Sequence, residues 1–400
     1  MISESLKLNT YSKVWGFLIL IFLLDIGGGI GIKNISFLLV LILTVYLALF
    51  YKKSLPKNLL LEFVIFIVCP LLLIAYSIII FNEQIGSVIS QVSAFTILGL
   101  LPSILFLGNK ASLLKVLYSI GRVLFLTVIA TFILLYVAFL VGGHPLISQI
   151  NGIAESLNLG YIGANPLGST LGFFIPNVYF IWSMLLIPFC LITYKNRTFD
   201  FYLGMIASCL TLSTGIILFL IIGILIVNIF YKIKFNLWNL TLILLFLPFL
   251  YILISNNIFN VIIDKLSITD PSTNVKVGHV QSIFGEITEN VIFLFFGTGI
   301  GSEFFSVGSN SYVVNVEVSH FNLIRQFGLI YFFIFTFYIF KISFELLNIS
   351  KDSTAKNIGI GLLMLYLCAG TNPLLISPVF FLWLIIARSY IFYEKMGRVN

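Results

Sequence analysis

The sequence predicts an all-α, polytopic integral membrane protein in which about 12 transmembrane helices form one bundle. Of its 400 residues, 60% are hydrophobic and only 9% are charged, whereas soluble domains carry about 25% charged residues. The apolar residues also run continuously, as from Leu59 to Phe81, which the alternating strands of a transmembrane barrel would not show. We therefore expect residues 1–400 to form a single transmembrane domain.

Apolar runs bounded by charges or turn residues predict the individual spans. The stretch 200–231 is too long for one crossing, because about 32 helical residues extend roughly 48 Å against a hydrocarbon core of about 30 Å. Ser213-Thr214-Gly215 is predicted to split it into two spans. The full set is 14–32, 35–51, 59–81, 88–108, 116–141, 171–194, the two halves of 200–231, 238–256, 320–343, 357–371 and 374–393.

The distribution of basic residues supports this topology, because short cytoplasmic loops retain Lys and Arg. One set of alternate loops holds most of the 22 basic residues, and the other set holds only Lys33, Lys265 and Lys276. Both termini are therefore predicted to be cytoplasmic. Because the basic residues are scattered singly between apolar runs, a nucleic-acid partner is excluded.

Two polar loops are predicted on the outward side of the membrane. Residues 142–170 are rich in Gly, Asn and Pro, and residues 257–319 form a much larger, acidic loop. Within the large loop, Val291 to Phe296 is apolar enough to dip into the membrane surface. Gly297 to Gly301 is predicted to be a tight turn and not a nucleotide-binding loop, because no Lys-Ser/Thr pair follows it.

The remaining special residues predict structure more than chemistry. The four cysteines lie inside apolar runs without paired loop spacing, so we expect no disulfide, metal site or cofactor. Gly27 to Gly29 and Gly31 are expected to allow close helix contact near the end of the first span. Glu62 and Arg122 can reach the interface and are interpreted as structural. Asp25 lies deeper, and a proton-coupled transporter would use such a residue.

The densest chemistry lies at the end of the large loop, where five polar residues fall within ten positions. An arginine inside a span must face protein or a water-filled cavity, because lipid exposure costs about 2.5 to 3.5 kcal/mol. This segment is therefore a candidate site, although its residues could also merely anchor the helix at the interface and satisfy one another. The five are Glu317, His320, Asn322, Arg325 and Gln326.

A second candidate group lies earlier in the same loop. Lys265 and Lys276 are two of the few outward cations, and His279 follows Lys276 by three residues. An anionic substrate such as a diphosphate would need cations of this kind. The alternative is that Lys265 pairs with Asp264 while Lys276 and His279 are solvated.

Three strings in order resemble the bacterial O-antigen polymerase family of the Wzy type, which is related to the O-antigen ligases. They are DPSTNVKVGHVQSIFGE (270–286), LFFGTGIGSEF (294–304) and EVSHFNLIRQFGL (317–329). The sequence differs from the family pattern at two places. The loop 142–170 has no Arg or Lys, although some members carry a functional Arg there, and Ser213-Thr214 stands where the family commonly has Ser-Arg.

The resemblance implies a metal-independent, inverting glycosyltransferase of the bacterial inner membrane in lipopolysaccharide or other surface polysaccharide biosynthesis. It would join undecaprenyl-diphosphate-linked oligosaccharide repeat units, as donor and acceptor, at the periplasmic face. A membrane protein that regulates chain length is an expected partner. The implied roles are His320 as base, oriented by Glu317, Arg325 and Lys276 as diphosphate ligands, and His279, Lys265 and Asn322 as further substrate-binding residues.

Two other functions stay open. An O-antigen ligase would use a similar fold and donor with a different acceptor. A lipid-linked oligosaccharide flippase or secondary transporter often has twelve spans as well, but such proteins usually show repeat symmetry and no single large loop late in the chain.

Overall fold

The computed structural model describes residues 2–27, 29–51, 64–81, 110–165, 174–194, 196–230, 271–349, 352–372 and 375–396, and the single positions 85, 88 and 94. The described chain is mostly helical, as predicted. Apart from positions 88 and 94, the predicted spans 88–108 and 238–256 lie outside the described residues.

The described helices and strands follow one another along the chain, with short π and 3₁₀ turns at Val64–Val68, Ser183–Leu185 and Ala369–Thr371. The helices are α1 Ile2–Leu24, α2 Ile32–Tyr51, α3 Cys69–Phe81, α4 Lys110–Ser156, α5 Leu186–Thr193, α6 Thr198–Leu210, α7 Thr214–Phe230, α8 Pro271–Thr288, α9 Val291–Phe296, α10 Ser319–Asn348, α11 Ser353–Cys368 and α12 Pro378–Met396. The strands are β1 Gly160–Ala164, β2 Pro176–Phe180, β3 Phe304–Ser306 and β4 Ser311–Val313.

Two of the described helices, α4 and α10, are long and apolar enough to cross a membrane. Each bends at a glycine, Gly143 with φ 61° in α4 and Gly328 with φ 79° in α10. The predicted span 116–141 lies within α4 and ends before its bend. The part of α10 after Gly328 runs from 329 to 348 and is about 30 Å long, which matches a hydrocarbon core.

The predicted split of residues 200–231 is confirmed. Helix α6 ends at Leu210 and α7 begins at Thr214, with Leu212 between them at φ 50°. The Tyr194 hydroxyl, just before α6, hydrogen-bonds the Asn228 side chain near the end of α7 at 2.8 Å. The chain therefore reverses direction between α6 and α7, and the end of α7 returns to the end of α5.

Two predicted boundaries are wrong. The span predicted at 171–194 contains strand β2 and then α5, whose eight residues extend only about 12 Å. The loop predicted at 142–170 contains the last turns of α4 and strand β1. Strands β1 and β2 pair antiparallel, with Tyr161 opposite Tyr179. A short apolar run does not distinguish a buried strand from a helix, which is why the all-α prediction missed the hairpin.

The core of the bundle is aromatic and aliphatic. Trp15, Trp182, Trp383 and Phe125 are fully buried, and Phe66 packs edge-on against Tyr338 with ring centroids 5.1 Å apart. Large rings of this kind supply much of the packing area in a helical core. Cys190 and Cys368 are buried in this core, as expected of cysteines that fill space, whereas Cys69 and Cys209 are only partly buried.

One end of the bundle is held by ion pairs, and we call it the ion-pair end. Lys110, at the start of α4, contacts Asp352 and also Glu394, the latter at 2.9 Å. Asp200, 1% exposed, accepts two hydrogen bonds from Arg122 at 2.7 and 3.0 Å. Charged side chains from four helices or their caps therefore meet at this end.

The opposite end, which we call the cap end, carries loops and hairpins. Asn372, after α11, hydrogen-bonds the hydroxyl groups of Tyr179 at 3.5 Å and of Ser319. Here the chain around Gly27 and Gly29 approaches the backbone of residues 157–158 so closely that a Cβ on either glycine would lie 1.9 Å from a carbonyl oxygen. The close approach is thus found at Gly27 and Gly29, although it joins two turns and not two helices, and a Cβ on Gly31 would meet nothing within 4 Å.

Residues 271–318, which we call the cap segment, form a small subdomain at this end. Its core contains Ile283, Ile287, Phe304, Val316 and Val318. The predicted tight turn at 297–301 is confirmed, because its three glycines have φ values between 81° and 104°. Large apolar side chains of α9 are exposed, among them Val291 at 68%.

Candidate functional site

The candidate residues His320, Asn322 and Arg325 lie in the first part of α10, before the bend at Gly328. Residues 319–327 thus form a short helical segment that is separate from the long apolar part of α10. This segment packs under the cap segment, and the Thr298 N–H donates to the Arg325 carbonyl at 2.7 Å. The bend therefore places the polar residues at the cap end.

Arg325 is 0% exposed and joins the helix to the cap segment. Its Nη1 donates to the Ser302 hydroxyl at 2.9 Å, and its Nη2 donates to the Ser302 and Val314 carbonyls at 3.1 and 2.8 Å. Its guanidinium lies 4.3 Å from the centre of the Phe304 ring. The guanidinium contacts protein groups on several sides. This agrees with the prediction that Arg325 faces protein, because exposing it to lipid would be costly.

Asn322, the predicted substrate ligand, belongs to the same network. Its side-chain oxygen accepts from Arg325 Nε at 3.2 Å and from Gln326 at 3.4 Å, and its amide donates to Asn315 at 3.2 Å. Beside these groups, a cavity of about 60 Å³ is lined by Asn315, Ser319, Gln326 and Ile376, among others. The cavity is polar and large enough for one or two water molecules.

Glu286 is the charge partner of Arg325 that our sequence reasoning missed. Its Oε2 lies 3.7 Å from Arg325 Nη1 and is buried without a hydrogen bond among the described residues. Burial raises the pKa of the Glu286 carboxyl, and the charge of Arg325 opposes that rise. Glu286 follows His279 by seven residues on α8, which is two helical turns and therefore the same face.

Glu317 contacts Lys276 and not His320. The Lys276 ammonium lies 3.3 Å from the Glu317 carboxylate, and the two side chains are 30% and 54% exposed. The structure gives no hydrogen bond between Glu317 and His320, so the predicted orienting contact is not found among the described residues. Lys276 is therefore a partly exposed cation at the cap end, and its ion-pair partner is an exposed carboxylate.

His320 has one ring nitrogen without a partner. Its ring packs edge-on against Tyr366, with centroids 4.6 Å apart, and its Nδ1 lies close to Gly370, where a Cβ would be only 3.0 Å away. Its Nε2 is buried and has no hydrogen bond to any described residue. A buried polar atom in this state costs free energy unless a ligand or water satisfies it.

His279 lies on α8 and is 5% exposed. Its Nδ1 hydrogen-bonds the Ser306 hydroxyl of strand β3. Burial lowers the pKa of the His279 imidazole below its usual value, and the negative charge of Glu317 opposes the change. His279 therefore joins α8 to the β3–β4 hairpin, and its link to the substrate stays a prediction.

Of the predicted site residues, Lys265 lies outside the described part of the chain. Across the ranges that the structure describes, no group of three or more His, Cys, Asp or Glu side chains is arranged to hold a metal ion.

Asn372 and Ser319, which the sequence did not assign to the site, form a hydrogen bond beside it. Only the tertiary structure brings Asn372 there, since it follows α11.

Comparison with protein-family models finds no match for this chain, and comparison with curated proteins finds no similar sequence. A functional assignment therefore depends on the three sequence strings, the two membrane-length helices and the geometry of the cap end.

Proposed function

We propose that this chain is a membrane-embedded glycosyltransferase of the O-antigen polymerase type. The observation that carries the proposal is the unpartnered Nε2 of His320, at a polar end of the bundle that also holds Lys276. A base and a cation are the two groups that transfer from a lipid diphosphate requires.

In the proposed reaction, a hydroxyl of one lipid-linked repeat unit attacks the anomeric carbon of the growing chain. The bond from that carbon to the diphosphate oxygen breaks, and undecaprenyl diphosphate leaves with the electron pair. His320 Nε2 accepts the hydroxyl proton. Lys276 exchanges its contact with Glu317 for the leaving diphosphate, which has the greater negative charge.

Arg325 takes a different role in this proposal. Its guanidinium donates to Ser302, Val314 and Asn322 and is fully buried, so it acts as a positioning residue that holds the cap segment against α10. We therefore assign binding of the diphosphate to Lys276 and give Arg325 the role of holding the cap segment in place.

Asp25, the residue that favoured a transporter, has structural contacts. Both carboxylate oxygens of Asp25 accept backbone N–H groups, from Ile30 at 2.9 Å and from Lys33 at 2.8 Å. This arrangement caps the turn between α1 and α2, and a structural cap accounts for the buried carboxylate. The ligase alternative shares the proposed chemistry and differs only in the acceptor.

Deleting the gene in its host and analysing the surface glycan on a gel tests the proposal. We expect the deletion to leave a single repeat unit on the lipid core, and we expect His320→Ala to insert normally without restoring the ladder. His144→Ala is the matched control, because His144 packs on Phe139 at the bend of α4, and it should restore the ladder.

Three other outcomes would each overturn part of the proposal. A ladder restored by His320→Ala would remove His320 as the base. If no repeat unit reached the core, a ligase or a flippase would explain the phenotype better. An unaltered ladder after deletion would contradict the O-antigen assignment altogether.

A further inference from the structure

A groove of about 730 Å³ lies at the ion-pair end, between the last turns of α10 and α12. It is far along both helices from the candidate site, since α10 begins at Ser319 and the groove is lined from Phe337 onward. Neither the proposed reaction nor the predicted spans explain it.

The walls of the groove are apolar and aromatic. Phe337 and Phe344 are 71% and 53% exposed, and both line it. They are seven residues apart and therefore lie on the same face of α10. On a helix long and apolar enough to cross a membrane, exposed phenylalanines on one face are suited to acyl chains.

The mouth of the groove is basic. Lys341 lies between the two phenylalanines on the same face, and Arg388 and Lys395, seven residues apart on α12, face it from the other side. Among the described residues that line it, Glu345 is the one carboxylate, and it pairs with Lys395. Three cations and one carboxylate leave a net charge of +2 with all groups ionised.

Lys341 is exposed and has no ion pair with any described residue. Basic residues at a membrane interface can simply extend into water, but that behaviour does not require an apolar groove beneath them. A free inorganic anion would use the cations and leave the aromatic walls unfilled. Only a ligand with both a negative headgroup and hydrocarbon chains matches the two halves of the groove.

We propose that this groove binds a bilayer phospholipid with an anionic headgroup. The phosphate lies near Lys341 and Arg388, and an acyl chain lies along Phe337 and Phe344. The proposal does not depend on the glycosyltransferase assignment, because it uses residues at the opposite end of the bundle and needs only that α10 lies in a membrane.

Native mass spectrometry of the full chain in detergent tests this site. The protein is titrated with phosphatidylglycerol and, separately, with phosphatidylcholine of the same acyl chains. We expect preferential retention of phosphatidylglycerol, about fivefold weaker retention for Lys341→Gln, and near-normal retention for Lys341→Arg. Because Lys341 is exposed, neither variant should affect folding, and an unchanged melting temperature checks this.

Lys115→Gln is the matched control. Lys115 is also exposed and lines a separate, smaller groove with Lys13 on α1 and α4, so its loss removes one charge without touching the proposed site. Retention unchanged by this control supports the proposal. Equal losses in Lys115→Gln and Lys341→Gln would show diffuse surface charge, and full competition by inorganic phosphate would show a simple anion site; either result would overturn it.

Discussion

Arg325 shows how one side chain can tie two parts of a membrane protein together. A buried guanidinium is tolerated only when its donors are satisfied and a counter-charge lies near, and here Ser302, Val314 and Glu286 supply those contacts. The sequence alone predicted that Arg325 must face protein or water. It did not reveal Glu286 as the partner, because that contact exists only after α8 packs on α10.

Arg325→Lys should therefore weaken the cap segment even though the charge is kept. A lysine cannot reproduce the forked contact with both Ser302 oxygens and the stacking on Phe304. We expect a loss of about 2 to 4 kcal/mol in the free energy of opening the cap segment. Hydrogen exchange of residues 271–318 measures this, and Lys276→Arg is the control. Equal protection in wild type and Arg325→Lys would contradict the positioning role.

His279 predicts a pH dependence of the same segment. Its folded pKa lies below its unfolded value, so the unfolded state binds more protons at mildly acidic pH, and the stability of the fold falls as the pH drops through about 6.5. Protonation also adds a charge beside Lys276, which Glu317 partly offsets. We expect the cap segment to exchange faster at pH 5.5 than at pH 7.5. If His279→Gln kept the full pH dependence, another group would be responsible.

The bend in α10 depends on one glycine. Gly328 has φ 79° and ψ 164°, a region that only glycine adopts readily, and a Cβ there would lie 2.2 Å from the Phe295 carbonyl oxygen. Gly297 faces it, since a Cβ on Gly297 would lie 2.5 Å from the Gln326 carbonyl oxygen. The two backbones are therefore in direct contact, and this contact holds α9 against the bend.

Gly328→Ala should destabilise the cap segment by at least about 2 kcal/mol, because it adds strain and a backbone clash. Gly285→Ala is the matched control on α8: a Cβ there meets nothing within 4 Å, and alanine in a helix should stabilise by about 0.5 to 1 kcal/mol. Thermal unfolding compares the three proteins. If both substitutions had the same effect, the bend would not depend on glycine.

Element boundaries show what sequence patterns can and cannot predict. Ser213 and the glycines of 297–301 mark breaks by their own backbone preferences, and both breaks were predicted correctly. The error at 171–194 has a different cause, since a short and mostly apolar run such as Pro176 to Phe180 is compatible with a strand or with a helix. Its pairing with β1 is a tertiary contact that a hydropathy pattern does not contain.

At the scale of the whole molecule, the described part of the chain has two chemically different ends. Ion pairs such as Lys110 with Asp352 gather at one end, and the cap segment covers the other. The alternation of basic loops in the sequence predicts a difference between the two faces, because the positive-inside rule uses charge without needing the fold. Which end is cytoplasmic stays a prediction. The number of spans could not be fixed in the same way, since helices as short as α5 and α6 also contribute to the bundle.

If the ion-pair end is cytoplasmic, single cysteines should label from opposite sides. In a variant without the four native thiols, Ser309→Cys on the β3–β4 hairpin should react with an impermeant maleimide in spheroplasts. Lys115→Cys should react only after permeabilisation. Both positions are exposed, so neither side chain is covered by the protein itself. The reverse pattern would place the cap segment in the cytoplasm and remove it from lipid-linked substrates at the periplasmic face.

The most direct measurement is single-turnover release of undecaprenyl diphosphate by the purified protein in lipid nanodiscs supplied with a lipid-linked repeat unit. We expect the wild type to release undecaprenyl diphosphate and to form longer glycans. We expect His320→Gln, with the same melting temperature, to be slower by about a hundredfold or more. Release at an undiminished rate by His320→Gln, or no release by a folded wild type, would contradict the proposed reaction.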